Sequence, residues 1–407
     1  MEAMDIQAVE SKLSDVTVTA IPMSGKSVHK DLSHGGNSHA TISTIPASSP
    51  SSIGKDKDNG MSKYHNFTMK SQLLWRWNTG YSADSVEWCP VEPYRHVLVC
   101  GTYQLDKSDG GKYITKQTRL GKIYLFVIDE DAAELSPVQT INTAGILDQK
   151  WCYHTISGSP ILAAVTSIGT IELYRLVDEE GALNLKLWIE HSIGQDILAL
   201  SLDWSTNKTQ TEEPKIAVSD SSGSVSVLKV AGEGLEQIGT WKAHGFEAWI
   251  AACNYWNPDV FYSGGDDCLF KSYDARVAEV AVTTNRSHEA GVTAVRSCLD
   301  VEHQLLTGSY DEKIRYWDTR NLKKSTSEVE TNGGVWRLKY HPTSRDFVLA
   351  ACMYGGFKLV EKDSVVAEYG EHESIAYGAD WCLAGRWLAT CSFYDCKLHV
   401  SEASFTD

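Results

Sequence analysis

The sequence predicts an all-β chain, a seven-bladed propeller behind a disordered N-terminal tail. Three observations carry that fold class. A unit of three short alternating runs recurs along the chain. The turn before its third run recurs at steps of 41 to 54 residues. The last unit is one strand short, while an unassigned strand stands before the first.

The sharpest unit runs from His288 to Arg320. A His precedes an alternating run at Val292, Ala294 and Val295. A second run, Leu305-Leu306, ends in Gly308-Ser309. Asp311 marks a turn, and a third run closes on Trp317-Asp318. Short alternation punctuated by Gly and Asp reads as antiparallel strands. One such unit buries a single face and needs sisters beside it. His244 to Arg276 is a second copy, with Asp267 at the place of Asp311 and Tyr273-Asp274 at that of Trp317-Asp318. The recurring turn falls at Gly121, Gly169, Gly223, Cys268, Glu312, Gly355 and Cys396. A period of about 40–45 residues with four strands per unit is the mark of propeller blades. The longer steps hold polar insertions such as 207–214, which suit loop tips.

Residues 1–65 are rich in Ser, Thr, Gly and Lys and lack either periodicity, so they read as a disordered tail. The propeller takes 66–407. Residues 72–79 (QLLWRWNT) are strand-like, and the last unit stops near Val400 with three strands. The N-terminal strand is therefore expected as the outer strand of the last blade, which removes an open sheet edge.

The chain has 53 Asp and Glu against 37 Lys and Arg, for a formal charge of −16. Nucleic acid binding by counterion release needs clustered cations, and no such cluster stands here. An acidic chain favours a basic protein partner. Ten cysteines in 407 residues are too sparse for a disulfide scaffold. Several, such as Cys100, Cys352 and Cys391, sit inside expected strands as small apolar residues. With no secretory signal and no apolar run of about 18 residues, the expectation is a cytoplasmic protein, with a nuclear pool allowed, that does not bind membranes.

The recurring His, turn Asp and Trp-Asp pair resemble the WD40 family over residues 72–400. Longer phrases go further. YSADSVEWCP with CGTYQL, GGVWRLKYHP with AACMYGGF, and AYGADW with ATCSFYD resemble the diphthine methylesterase family, the WD40 proteins of diphthamide biosynthesis. The resemblance covers all seven blades and excludes the tail. It implies a hydrolase that removes the methyl ester of methylated diphthine, a modified histidine of translation elongation factor 2, without a cofactor.

Aligning the blades on the aromatic that closes each first strand gives Trp88, Trp151, Trp204, Trp256, Tyr340 and Trp381. Four residues earlier stand Asp84, Leu147, Leu200, Ala252, Trp336 and Tyr377. Three residues earlier stand Ser85, Asp148, Ser201, Cys253, Arg337 and Gly378. These starts should open on one mouth of the channel, gathering Asp84, Asp148, Trp336, Arg337 and Tyr377. Asp196, Glu247 and Trp249 lie in loops that lead into neighbouring blades. The trimethylammonium group that the resemblance implies needs aromatic faces and carboxylates, which Trp336, Tyr377, Trp249 and Asp84 offer. Ester hydrolysis needs a base and donors for an oxyanion. Asp84 or Asp148 activating water is the first choice of base, with Arg337 as donor and Asp196 among the binding residues. His191, without a matching turn Asp, is a further candidate, and Cys391 and Cys352 are weaker ones. His244, His288 and His372 are expected to bond within their blades toward Asp267, Asp311 and Asp395. No Gly-x-Ser-x-Gly elbow and no metal-ligand spacing occurs.

A rival role rests on Tyr273-Asp274-Ala275-Arg276 and Trp317-Asp318-Thr319-Arg320. These resemble the short motif by which substrate receptors dock on the adaptor of cullin–RING ubiquitin ligases. In that role the chain would be a non-enzymatic scaffold or receptor.

Overall fold

The computed structural model describes residues 68–106, 118–132, 134–205, 208, 210–277, 280–344, 346–384 and 386–406. Seven four-stranded antiparallel sheets make up its regular structure, so the chain is a seven-bladed propeller. The tail of 1–65 lies outside the described residues.

The first strands of the seven blades are Ser82–Trp88, Ile146–Trp151, Ala199–Trp204, Ile250–Cys253, Val292–Ser297, Arg337–Tyr340 and Ala376–Trp381. Each touches the first strands of both neighbouring blades, which closes a ring. Nearly every residue in them is buried. The closing aromatics explain the ring's cohesion. Trp151 Nε1 donates to Glu87 O at 3.2 Å, and Trp204 Nε1 donates to Lys150 O at 3.0 Å. Each indole is thus buried between blades with its N–H satisfied by the blade before it. Between the last and first blades, Trp88 stacks on Trp387 at 6.0 Å.

The seventh sheet takes its outer strand from the start of the described chain. Thr68–Asn78 pairs with Lys397–Thr406, including Trp75 with Val400, Arg76 with His399 and Trp77 with Leu398. The last strand continues past Val400, where sequence alone placed its end. Trp77 lies edge-on to Tyr124 and Phe126 of blade one at 6.4 and 6.1 Å. The closing strand therefore holds two blades, not one.

The recurring turn needs a left-handed residue. Gly169, Gly223 and Gly356 supply it with φ of 72°, 84° and 73°. Cys268, Glu312 and Cys396 adopt the same region with φ of 62°, 64° and 55°. In blade six the turn residue is thus Gly356, one past the expected Gly355. In blade one Gly121 is not in the turn but inside the strand Arg119–Val127. There a Cβ would come within 2.3 Å of Ala144 O.

Candidate functional site

The mouth is built by a repeated irregularity. In five blades the first strand carries a β-bulge at its start, and the residue left unpaired is Asp84, Leu147, Leu200, Thr293 or Tyr377. In blades four and six the equivalent residue stands just before the strand, as Trp249 and Trp336. Bulges re-aim side chains and gather at functional sites. Here they set seven residues at one level around the channel.

That register corrects the sequence alignment in blade four. Ile250 pairs with Gly264, as Ala294 pairs with Gly308 in blade five. Trp249, not Ala252, therefore shares the level of Asp84. Trp256 lies in the loop beyond the strand, 38% exposed, with its Nε1 on Cys298 O at 3.0 Å. Thr293 was missed because blade five has no aromatic closing its first strand.

Aromatic rings run around the mouth from blade four to blade one. Trp249 lies 6.0 Å from Trp336 and 6.4 Å from Tyr310. Tyr310 lies 6.1 Å from Trp336, and Trp336 lies 4.7 Å from Tyr377. Tyr377 meets Phe393 at 4.8 Å, and Phe393 meets Tyr103 at 6.1 Å. Trp249 Nε1 donates to Asp266 Oδ1 at 3.2 Å, which adds a carboxylate to the arc. Tyr310, Phe393, Tyr103 and Asp266 were not foreseen. Their signal was legible: each is the second residue after the partner of the bulge-following residue, as in GTY, GSY, CSF and GGD.

The two carboxylates behave differently. Asp148 is fully buried and saturated. Its Oδ2 takes Lys150 Nζ at 2.5 Å and Leu202 N at 3.1 Å, and its Oδ1 takes Arg337 Nη2 at 3.1 Å. Burial pushes its pKa up, but the Arg337 and Lys150 charges and these hydrogen bonds outweigh burial and hold it below the ordinary value. Asp148 is thus an anchor for Arg337, whose Nη2 also donates to Leu147 O at 3.4 Å. Asp84 is buried, and its Oδ1 has no partner. Burial raises its pKa well above the ordinary value; Arg337 opposes the rise and Asp148 adds to it. The Trp336 Nε1 is also buried without a partner among the described residues. Such atoms cost about 1–3 kcal/mol each when unmet, so this mouth is made to receive polar groups or water.

The other candidates stand elsewhere or are held. His191 pairs with Ile171 on the outer strand of blade two, away from the channel. Asp196 is exposed in the loop leading into blade three, with φ of 56°. Burial pushes the Cys391 thiol well up and Cys352 to about 12, opposite to what a nucleophilic thiol needs. All ten cysteines are free thiols. His244 bonds Asp267 and Ser263, both at 2.8 Å. His288 bonds Asp311 at 3.0 Å and Thr307 at 2.7 Å. His372 instead bonds Ser392 and Thr390 at 2.6 and 2.8 Å, and Ser392 carries the link to Asp395. Arg276 and Arg320 fold back onto Asp274 and Asp318 at 2.6 and 2.5 Å.

Deeper in the channel a second ring of side chains narrows it. One residue before the closing aromatics stand Glu87, Lys150, Asp203, Lys339 and Asp380, joined by Arg296 of blade five. Lys339 Nζ meets Glu87 at 2.6 Å and Asp380 at 3.3 Å. Arg296 donates to Tyr255 and Tyr153 at 2.6 and 2.7 Å. The space left among these side chains is about 30 Å³, enough for a water or two. These paired side chains narrow the channel below Asp84, and the aromatic mouth offers an approach for a substrate side chain.

Comparison with known proteins adds the family. Residues 280–318 match the family described as WD domain, G-beta repeat, and residues 1–61 match cyclin-dependent kinase 2-associated protein. The second match falls on the tail, outside the described residues. Diphthine methyltransferase of Mus musculus is 43% identical over 328 residues, covering 75% of this chain and 68% of the relative. Diphthine methyltransferase of Homo sapiens is 41% identical over 330 residues, covering 75% and 73%. The chain belongs to the diphthine methyltransferase family. A homologue of diphthine methyltransferase in Dictyostelium discoideum, 35% identical over 366 residues, covers 79% of this chain and 96% of its own. A chain in a crystal structure of a mitotic checkpoint complex shares the fold, with a TM-score of 0.62 at 16% identity, covering 87% of this chain and 98% of that one. In this diphthine methyltransferase family member, the aromatic arc and Asp84 meet at one mouth, and the family relation does not favour the receptor role.

Proposed function

We propose that the chain is a carboxylic ester hydrolase of diphthamide biosynthesis. Its substrate is methylated diphthine on translation elongation factor 2, and its products are diphthine and methanol. The relatives carry the name diphthine methyltransferase, which places diphthine and a methyl group at the centre of the chemistry. The observation that carries the finer reading is the shared level of Asp84, Trp336, Tyr377 and Trp249 around one mouth of the channel.

The substrate presents a trimethylammonium group and a methyl ester a few bonds apart. Aromatic faces attract such a cation through their quadrupoles, by about 2 kcal/mol when desolvated. Trp249, Trp336 and Tyr377 hold it, with Asp266 behind. The ester then faces Asp84. A carboxylate with a raised pKa is a stronger base than a solvated one. It takes a proton from water as the water oxygen bonds to the ester carbon. The oxyanion is met by Arg337, which Asp148 holds in place. Collapse breaks the bond to the methoxy oxygen, and the proton on Asp84 leaves with methanol. One water is consumed, the product acid releases one proton to solvent to become the carboxylate, and no cofactor is needed.

The test is methanol release from elongation factor 2 bearing methylated diphthine, with this protein as the sole addition. Stoichiometric methanol with loss of the ester supports hydrolysis. Transfer of a methyl group from a donor onto diphthine, with no methanol formed from the ester, would overturn it. The cytoplasm, where the elongation factor works, is the proposed place of action.

A further inference from the structure

The two faces of the propeller carry opposite charge patterns over blades four to seven. On the mouth face lie the loops leading into the first strands (243–249, 286–291, 331–336, 370–375) and those joining second to third strands (265–269, 310–312, 352–356, 393–396). Together they hold nine acidic residues and one basic residue, Arg286. On the opposite face the described loop residues of the same blades hold five acidic and six basic residues. Over blades four to seven the acidic loop residues thus lie mainly on the mouth face, beside the aromatic arc. Glu289, Glu312 and Glu373 are exposed there.

Apolar surface is exposed on the same arc. Phe246, Tyr354 and Tyr394 are 59%, 73% and 50% exposed. Between blades six and seven, Tyr354 and Tyr394 flank a groove of about 610 Å³ whose lining includes Glu373, Asp395 and His372. It opens next to Phe393 and hence next to Tyr377 of the mouth. Aromatic faces with two carboxylates suit the stem and charge of a Lys or Arg side chain.

We infer that the acidic arc of blades four to seven is the docking surface for a basic surface of the protein substrate. A Lys or Arg beside the modified residue enters the groove between Tyr354 and Tyr394. The inference rests on the proposed function for the identity of the substrate. A modified residue on a whole protein must reach the floor of a channel, so the surrounding surface must meet the mouth face. Of the nine carboxylates Asp311 is paired with Arg315 and Glu371 with Arg76; the exposed Glu289, Glu312 and Glu373 would then steer that approach and select against acidic surfaces. Steering between exposed charges is screened over about 10 Å at 0.1 M salt, which gives it a signature.

The experiment compares two probes: elongation factor 2 bearing methylated diphthine, and a small methyl ester of a trimethylammonio acid that reaches the mouth without touching the arc. Raising NaCl from about 50 to about 300 mM should raise KM for the protein several-fold and leave KM for the small ester within two-fold. Glu289→Lys with Glu373→Lys, both at exposed positions, should raise KM for the protein about 10-fold and spare the small ester. Direct binding of elongation factor 2, read without turnover, should weaken in parallel. Equal salt response of the two probes, or a protein KM indifferent to both salt and charge reversal, would overturn the docking surface. Salt-sensitive binding of elongation factor 2 in the absence of any ester cleavage would retain the docking surface and sink only the hydrolase reading.

Discussion

Asp148→Asn separates an anchor from a base. In the native protein its carboxylate is met by Lys150, Arg337 and the Leu202 amide, with no exposed surface. An amide of the same shape keeps the packing but leaves two buried cations without a counter-charge. Removing one partner of a buried ion pair costs about 3–5 kcal/mol, because the other charge is stranded. At roughly 2–4 °C per kcal/mol for domains of 150–250 residues, the thermal midpoint should fall by on the order of 10 °C. Lys150→Met added to Asp148→Asn removes one stranded charge and should recover part of the loss. The acid side gives a second signature. The folded pKa of Asp148 lies below its ordinary 3.8, so its stabilisation is present above the unfolded value and is lost as pH falls through the folded one. The Asn variant should lack that part of the acid dependence. Scanning calorimetry at neutral and acid pH reads both effects. A variant as stable as the parent, yet more than about 10²-fold slower, would make Asp148 the base and refute the anchor.

Asp84→Asn should lower turnover by about 10²–10⁴-fold while raising the melting temperature near neutral pH. Its folded pKa is raised, so ionising it above the unfolded value costs stability that the amide does not lose; kcat/KM of the parent should rise with pH through the raised pKa. Trp336→Ala and Tyr377→Ala should mainly raise KM, by roughly 30-fold for about 2 kcal/mol of lost cation contact, with kcat within a few-fold. Deleting residues 1–65 should leave melting unchanged, whereas deleting 1–80 removes the strand Thr68–Asn78 and should abolish cooperative unfolding; equal melting of both truncations would contradict closure by that strand.

The blade count and the ring closure were legible because they rest on spacing. Turn residues recur at fixed steps, and a missing fourth strand and a surplus first strand must find each other. The mouth was only partly legible, because side-chain level depends on register rather than on counting back from an aromatic. In blade four the strand ends at Cys253, so counting back from Trp256 put Ala252 where Trp249 stands. Asp84 and Asp148 read alike in sequence as carboxylates one step apart. Only their surroundings separate them: three strong partners for Asp148, and a bare buried Oδ1 for Asp84. His191 looked free for want of a turn Asp, yet strand order puts it on the rim of blade two. The charged cluster at Glu87, Lys150, Asp203, Lys339 and Asp380 was visible at a fixed offset, but its meaning needed the ring to be closed.

The central claim is that water, activated at Asp84, attacks the ester carbon. Turnover of methylated diphthine on elongation factor 2 in water enriched in oxygen-18 tests this directly. One heavy oxygen should appear in the carboxylate of diphthine and none in the methanol, and Asp84→Asn should suppress both products together. Heavy oxygen in the methanol, or demethylation that proceeds undiminished in Asp84→Asn, would contradict the account.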